Sequence, residues 1–171
     1  RGISGRELME RAGTGCANLI RGLGQLRTVW VVCGSGNNGG DGLVIARKLA
    51  EHGVRVRVWL VGKRERMSAE TAANLESWLA SGGSVENWPP RGIADQTMES
   101  ATAQTPDLVI DCLLGTGSAG NPRGEIADAI DWLNRLDCRR IAIDLPSGLD
   151  CDSGKPGQPT VRADLTRSEE H

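Results

Sequence analysis

The stretch VVCGSGNNGGDGLVIARKLAEHG, residues 31–53, places four glycines and two asparagines at positions 34–40, behind an apolar run and ahead of a helical pattern. The apolar run, TVWVVC at 28–33, shows no polar alternation, which is the signature of a strand buried on both faces. GLVIARKLAEH at 42–52 recurs at helical spacing and stops at Gly53. Strand, glycine-rich turn and helix together form the opening unit of a parallel α/β sheet. Gly34, Gly36 and Gly39 satisfy G-x-G-x-x-G across the turn, the spacing with which a helix N-terminus receives a dinucleotide diphosphate.

The alternation continues outward from this unit. Upstream, Ser4 and Glu7 form an S-x-x-E capping box, and Leu8, Met9, Ala12, Cys16, Leu19 and Leu23 follow at helical spacing. Downstream, VRVRVWLVG (54–62) alternates with period two, SAETAANLESWLASGG (68–83) is helical and SVENW (84–88) reads as a short strand. PDLVIDCLLG (106–115) is a second buried strand, GEIADAIDWLNRL (124–136) a helix and RRIAIDLPSG (139–148) a third buried strand. From Asp150 onward the chain reads as loop. The pattern predicts an α/β fold, a doubly wound, mostly parallel sheet with helices on both faces, in a single domain over residues 1–171.

Composition narrows the function. A net charge of −2 and no basic run leave no electrostatic footprint for nucleic acid. No stretch approaches the ~20 apolar residues that span a bilayer. Five scattered cysteines without C-x-x-C suggest reduced core thiols and a cytoplasmic setting. With His52 and His171 as the only histidines, a zinc site is disfavoured. Phe and Tyr are absent, so a site that stacks bases on those rings is excluded; Trp30, Trp59, Trp78 and Trp132 fall in strand or helix patterns and read as core.

Polar residues collect in three clusters, each after a buried strand: GSGNNGGD, DCLLGTGSAGNPRG and DLPSGLD. In open α/β sheets, ligands bind at the carboxyl ends of strands where strand order reverses, so three such clusters converge on one rim. A hydride-transferring dehydrogenase would place an acid at the end of the next strand to hold a ribose. Residues 60–64 read Leu-Val-Gly-Lys-Arg instead, with no acid; Lys63–Arg66 reads as a solvated loop, and no G-K-[ST] marks a P-loop. Asn37, Asn38 and Asp41 admit two readings, as caps of the following helix or as part of a hard-oxygen site. In the second, Asn38, Asp111 and Ser147 meet on the rim with loop carbonyls, a donor set suited to a monovalent cation, since Mg²⁺ and Ca²⁺ draw on more carboxylate. Asp144 enters the same cleft from an apolar strand, which suits acid–base work; as part of D-x-P-S-G it could equally be a turn aspartate.

LMERAG, GSGNNGGDGLVIARKLAEHG, DCLLGTG and IAIDLPSGLD together resemble the YjeF N-terminal domain family, the NAD(P)HX epimerases, over about residues 7–166. The resemblance implies a Rossmann-like three-layer αβα sandwich, a homodimer, and a repair reaction that interconverts the R and S forms of hydrated NADH or NADPH for a separate dehydratase. It implies one K⁺ per subunit on Asn38, Asp111 and Ser147. It also implies substrate contacts from Asn37, Asn38, Gly39, Gly40 and Asp41, and from a second loop of Gly115, Thr116, Gly117, Ser118, Ala119, Gly120 and Asn121. Asp144 becomes a substrate-binding and catalytic carboxylate. On this reading the glycines of the first turn admit the ligand's phosphates. Family members usually run on past the ADLT at 163–166 and begin before the first helix here, so a shortened chain is expected. A related domain in messenger-RNA decapping scaffolds supplies the alternative, a non-catalytic dimerisation and RNA-contact module.

Overall fold

The structure, a computed structural model, describes residues 4–89 and 105–167. In chain order its elements are α1 (Gly5–Arg21), β1 (Thr28–Cys33), α2 (Asn37–Glu51), β2 (Arg55–Leu60), a 3-10 turn (Arg64–Arg66) and α3 (Ala69–Ala80). They continue with β3 (Val85–Asn87), β4 (Leu108–Cys112), α4 (Glu125–Arg135), β5 (Arg139–Ile143) and β6 (Leu165–Arg167). The six strands form one parallel sheet in the order β3-β2-β1-β4-β5-β6, as expected of a Rossmann-like sandwich.

Alternate residues of each strand feed opposite layers. Val29, Val31 and Cys33 of β1 pack with Ile20, Leu43, Leu49, Leu75 and Trp78 from α1, α2 and α3. Trp30 and Val32 face the other way, toward Trp59, Val109, Ile130 and Leu133, so α4 closes the second layer. Both faces of β1 and β4 are thereby buried, the burial their apolar runs predicted. Two aspartates clamp neighbouring strands at the edge remote from the polar clusters. Asp107 Oδ2 accepts the N–H groups of Arg27 and Thr28 at 2.7 and 2.8 Å, and Asp164 Oδ2 accepts that of Arg140 at 2.7 Å.

Several boundaries differ from the sequence reading. The helix placed at Gly42 begins at Asn37, so the asparagines and glycines form its first turn. Three-residue β6 lies in the segment read as loop; all of it is exposed, and it carries no periodicity to detect. In α1 the buried stripe is Met9, Gly13, Cys16, Ala17 and Ile20, while Leu8 and Leu19, and Leu23 beyond the helix end, are exposed. Gly13 explains the rotation: a Cβ there would lie 2.7 Å from Val44, so the helices cross where α1 has no side chain. Cys16, Cys33 and Cys112 are buried, Cys138 is half-buried, Cys151 is exposed, and none of the five forms a disulfide.

Candidate functional site

The carboxyl ends of β1, β4 and β5 lie side by side, and strand order reverses between β1 and β4. A cavity of about 800 Å³ opens there, lined by residues 35–38, Asp41, residues 113–118, Ile126, Ile143 and Asp144. The glycine-rich turn builds its floor by close contact. Gly34 N–H donates to the Cys112 carbonyl at 2.9 Å, and a Cβ on Gly34 would stand 2.0 Å from the Leu113 carbonyl oxygen. A Cβ on Gly39 would stand 1.9 Å from the Gly34 carbonyl oxygen. One on Gly40 would meet Met9 Sδ at 2.7 Å, and one on Gly42 would meet Cys33 and Cys112 within 2.9 Å.

These glycines therefore bring α2 down onto the strand ends, and Gly39 and Gly40 lie in packing, away from the cavity lining. Gly36 is different, because nothing lies within 4 Å of its Cβ position and it lines the cavity. It is also the N-cap of α2 and offers no side-chain cap, so the first amides of the helix open toward that space. Seating them is an expectation the sequence carried, but the division of labour among the glycines is not the one expected.

Asn38, Asp111 and Ser147 are brought together beneath the cavity, all of them buried. Asp111 Oδ1 accepts from Ser147 Oγ at 2.6 Å and from Leu113 N–H at 3.1 Å, while Oδ2 accepts from Ser147 N–H at 2.8 Å. Burial pushes the Asp111 carboxyl up to about 6 although the Ser147 and Leu113 hydrogen bonds oppose the rise. Ser147 Oγ in turn accepts the Leu114 N–H at 2.9 Å, and Asn38 Nδ2 donates to the Leu114 and Ile143 carbonyls at 2.7 and 3.2 Å. Asn38 Oδ1 is buried and has no hydrogen-bond partner among the described residues. An orphaned amide oxygen beside backbone carbonyls and one carboxylate is a donor set that a monovalent cation would complete. Among the described residues no cluster of three His, Cys, Asp or Glu offers an alternative metal site.

Asp144 closes the rim. Its N–H donates to the Arg167 carbonyl at 2.7 Å, extending the β5–β6 ladder by one residue. Its φ is then 69°, left-handed backbone that costs a side-chain-bearing residue and that Asp tolerates better than most. This turns the carboxylate across the rim, where Oδ2 accepts the Thr116 N–H at 2.8 Å. Gly115 makes room for it, since a Cβ there would sit 2.8 Å from Asp144 Oδ2.

Of the remaining expected contacts, Asn37, Asp41, Thr116, Gly117 and Ser118 line the cavity. Ala119, Gly120 and Asn121 are exposed and lie outside the lining; Asn121 Oδ1 instead accepts the Gln158 N–H at 3.1 Å. Gly36, expected at the phosphates, also lines the cavity, as does Ser35, to which the motif gives no role. Ile126 belongs to the first turn of α4, and only its place in an amphipathic pattern marked it.

The chain is similar to known proteins over most of its length. The family described as YjeF-related protein N-terminus matches residues 5–168. The chain is 38% identical over 172 aligned residues to an NAD(P)H-hydrate epimerase of Pirellula staleyi, covering 96% of this chain and 72% of the relative. It is 39% identical over 163 residues to a bifunctional NAD(P)H-hydrate repair enzyme of Leishmania major, covering 93% of this chain but 28% of the relative. Against a Rhodopirellula baltica NAD(P)H-hydrate epimerase, 35% identical, the chain spans 63% of the relative's length. The crystal structure of yeast ynu0 superposes with a TM-score of 0.79 at 24% identity, over 98% of this chain and 71% of that one, a likeness of fold. The chain belongs to the YjeF-related protein N-terminus family.

Proposed function

We propose that this chain interconverts the R and S forms of hydrated NADH and NADPH, a nicotinamide-cofactor repair reaction. The observation that carries the reading is Asp144, a carboxylate turned into a dinucleotide-sized crevice by left-handed backbone, opposite the uncapped N-terminus of α2. The names of the epimerase and repair-enzyme relatives support it; none of those named is an RNA scaffold.

The diphosphate lies at the α2 amides past Gly36, and the reacting ring lies under Asp144 and the loop of Gly115, Thr116, Gly117 and Ser118. Inversion at the hydroxyl-bearing ring carbon proceeds by loss and return of the hydroxyl, or by opening and reclosing of the ring. Each route gives one proton to the substrate and takes one back. In the ring-opening route the Asp144 carboxylate takes the hydroxyl proton as the ring C–N bond breaks and passes it to the nitrogen, then reverses both transfers on closure at the opposite face. In the hydroxyl-loss route its acid form protonates the departing hydroxyl, which leaves as water, and takes a proton back from the water that returns. Asn38, Asp111 and Ser147 would hold one K⁺ per subunit, whose charge would offset that of the diphosphate in a cavity lined by Asp41 and Asp144. Functional coupling to an NAD(P)HX dehydratase, homodimerisation and a cytoplasmic setting complete the proposal; among the described residues, no helix is long and apolar enough to cross a membrane.

The test pairs the protein with an S-specific dehydratase and a mixed epimer pool. Complete consumption of the pool at an accelerated rate is expected. Persistence of the R form at its uncatalysed rate, with folded protein present, contradicts the reading.

A further inference from the structure

The turn that follows β2 is tied to the edge of the cavity. Cys33 and Leu60 are register partners, and Val61 N–H donates to the Cys33 carbonyl at 2.9 Å, so the chain leaves β1 and β2 side by side. Ser68 N–H then donates to the Ser35 carbonyl at 3.3 Å, and a Cβ on Gly62 would lie 3.9 Å from Ser35 Oγ. Ser35 lines the cavity, so residues 62–68, themselves outside its lining, adjoin it on the β2 side through these contacts. Their sequence holds Lys63, Arg64 and Arg66 against the single acid Glu65, all exposed, with Arg64–Arg66 wound into the 3-10 turn. None of the three cations is in an ion pair among the described residues.

A dinucleotide with its reacting ring at Asp144 and its diphosphate at the α2 N-terminus extends its second ribose across β1 toward β2. In this strand order the end of β2 distinguishes the two cofactors: an acid receives a free 2′-hydroxyl, whereas a nearby Arg accommodates a 2′-phosphate. Here Leu60, Val61 and Gly62 supply no acid, and the turn beyond them supplies three cations. Resting on the function proposed above, we infer that Lys63, Arg64 and Arg66 form a 2′-phosphate subsite, and that the phosphorylated hydrate is the preferred substrate. Guanidinium groups suit the role because their forked donors match phosphate oxygens. Exposure keeps the contacts screened, so the preference is salt-sensitive.

The experiment compares kcat/KM for the R forms of NADPHX and NADHX in the wild type and in an Arg64→Ala, Arg66→Ala double variant. The wild type is expected to favour NADPHX by about tenfold at low salt, a difference carried by KM and equal to one decade of binding. The double variant brings the ratio close to one, and added salt erodes it in the wild type. A wild-type ratio near one, or a ratio the double variant leaves in place, overturns the inference while leaving the epimerase reading intact. Calorimetry with NADP⁺ and NAD⁺ reads the subsite even without turnover. Tighter NADP⁺ binding that is lost in the double variant supports it, and equal affinities overturn it.

Discussion

Thr71 Oγ1 donates to the carbonyl of Gly36 at 2.9 Å, joining the first turn of α3 to the N-cap of the helix that faces the cavity. The hydroxyl is fully buried and itself accepts from Ser68 Oγ at 2.9 Å. Thr71→Val keeps the shape but removes the hydroxyl's bonds to Ser68 and to Gly36, whose carbonyl still accepts the Gly39 and Gly40 N–H groups at 3.0 and 3.3 Å. A loss of about 1 kcal/mol of stability is expected, the net worth of a typical hydrogen bond. Loosened α2 amides should raise KM more than they lower kcat. Thr71→Ser, which keeps the hydroxyl, should restore both; a Thr71→Val enzyme with unchanged KM assigns the residue to packing alone.

Gly36 and Gly39 should part company on substitution. Gly39→Ala drives a methyl into the Gly34 carbonyl, backbone against backbone, and is expected to prevent folding or cost several kcal/mol, about 3 or more. Gly36→Ala meets open space at an extended φ of −83°, so the melting temperature should stay near wild type while dinucleotide affinity falls. Circular dichroism and ligand titration of both variants separate the two roles.

The alternating strands and helices were legible because burial on both faces leaves uninterrupted runs such as 28–33 and 108–112. The start of α2 was not, since Gly39 and Gly40 are poor helix formers and read as loop. They are helical because the helix must touch the strand ends, a tertiary demand that no local pattern states. The convergence of Asn38, Asp111 and Ser147 followed from topology, each lying just beyond a strand end or upon it. What stayed hidden was conformational: D-x-P-S-G looks like a turn, and nothing in it announces that Asp144 occupies left-handed backbone.

Asp107 should shape the acid limb of stability. The Thr28 N–H, then the Arg27 N–H, hold its carboxyl below the ordinary 3.8. A depressed folded-state value means that the contribution is complete above about pH 4 and fades as pH falls through the folded value. Asp107→Asn is therefore expected to melt lower than wild type at pH 7 and to lose less on acidification below pH 4. Melting temperatures measured across that range test it; parallel curves for the two proteins would count against the strand clamp.

Potassium should stabilise the folded protein through the buried oxygen of Asn38. At a concentration a hundredfold above Kd a ligand adds about 2.7 kcal/mol, and for a chain of this size that is a rise of roughly 5–10 °C. KCl is expected to exceed choline chloride at equal ionic strength, and the increment should vanish in Asn38→Ala. Identical melting in the two salts contradicts the ion site.

The central claim is that Asp144 moves the proton, and its most direct measurement is the R-to-S interconversion rate of Asp144→Asn followed by NMR on the hydrated cofactor. Asn tolerates the left-handed backbone and can still accept the Thr116 N–H, so the fold and substrate binding should persist. What it cannot do is carry the proton. The account predicts a rate lower by about 10²–10⁴-fold with binding intact; turnover near the wild-type rate in a folded, substrate-binding Asp144→Asn protein would contradict it.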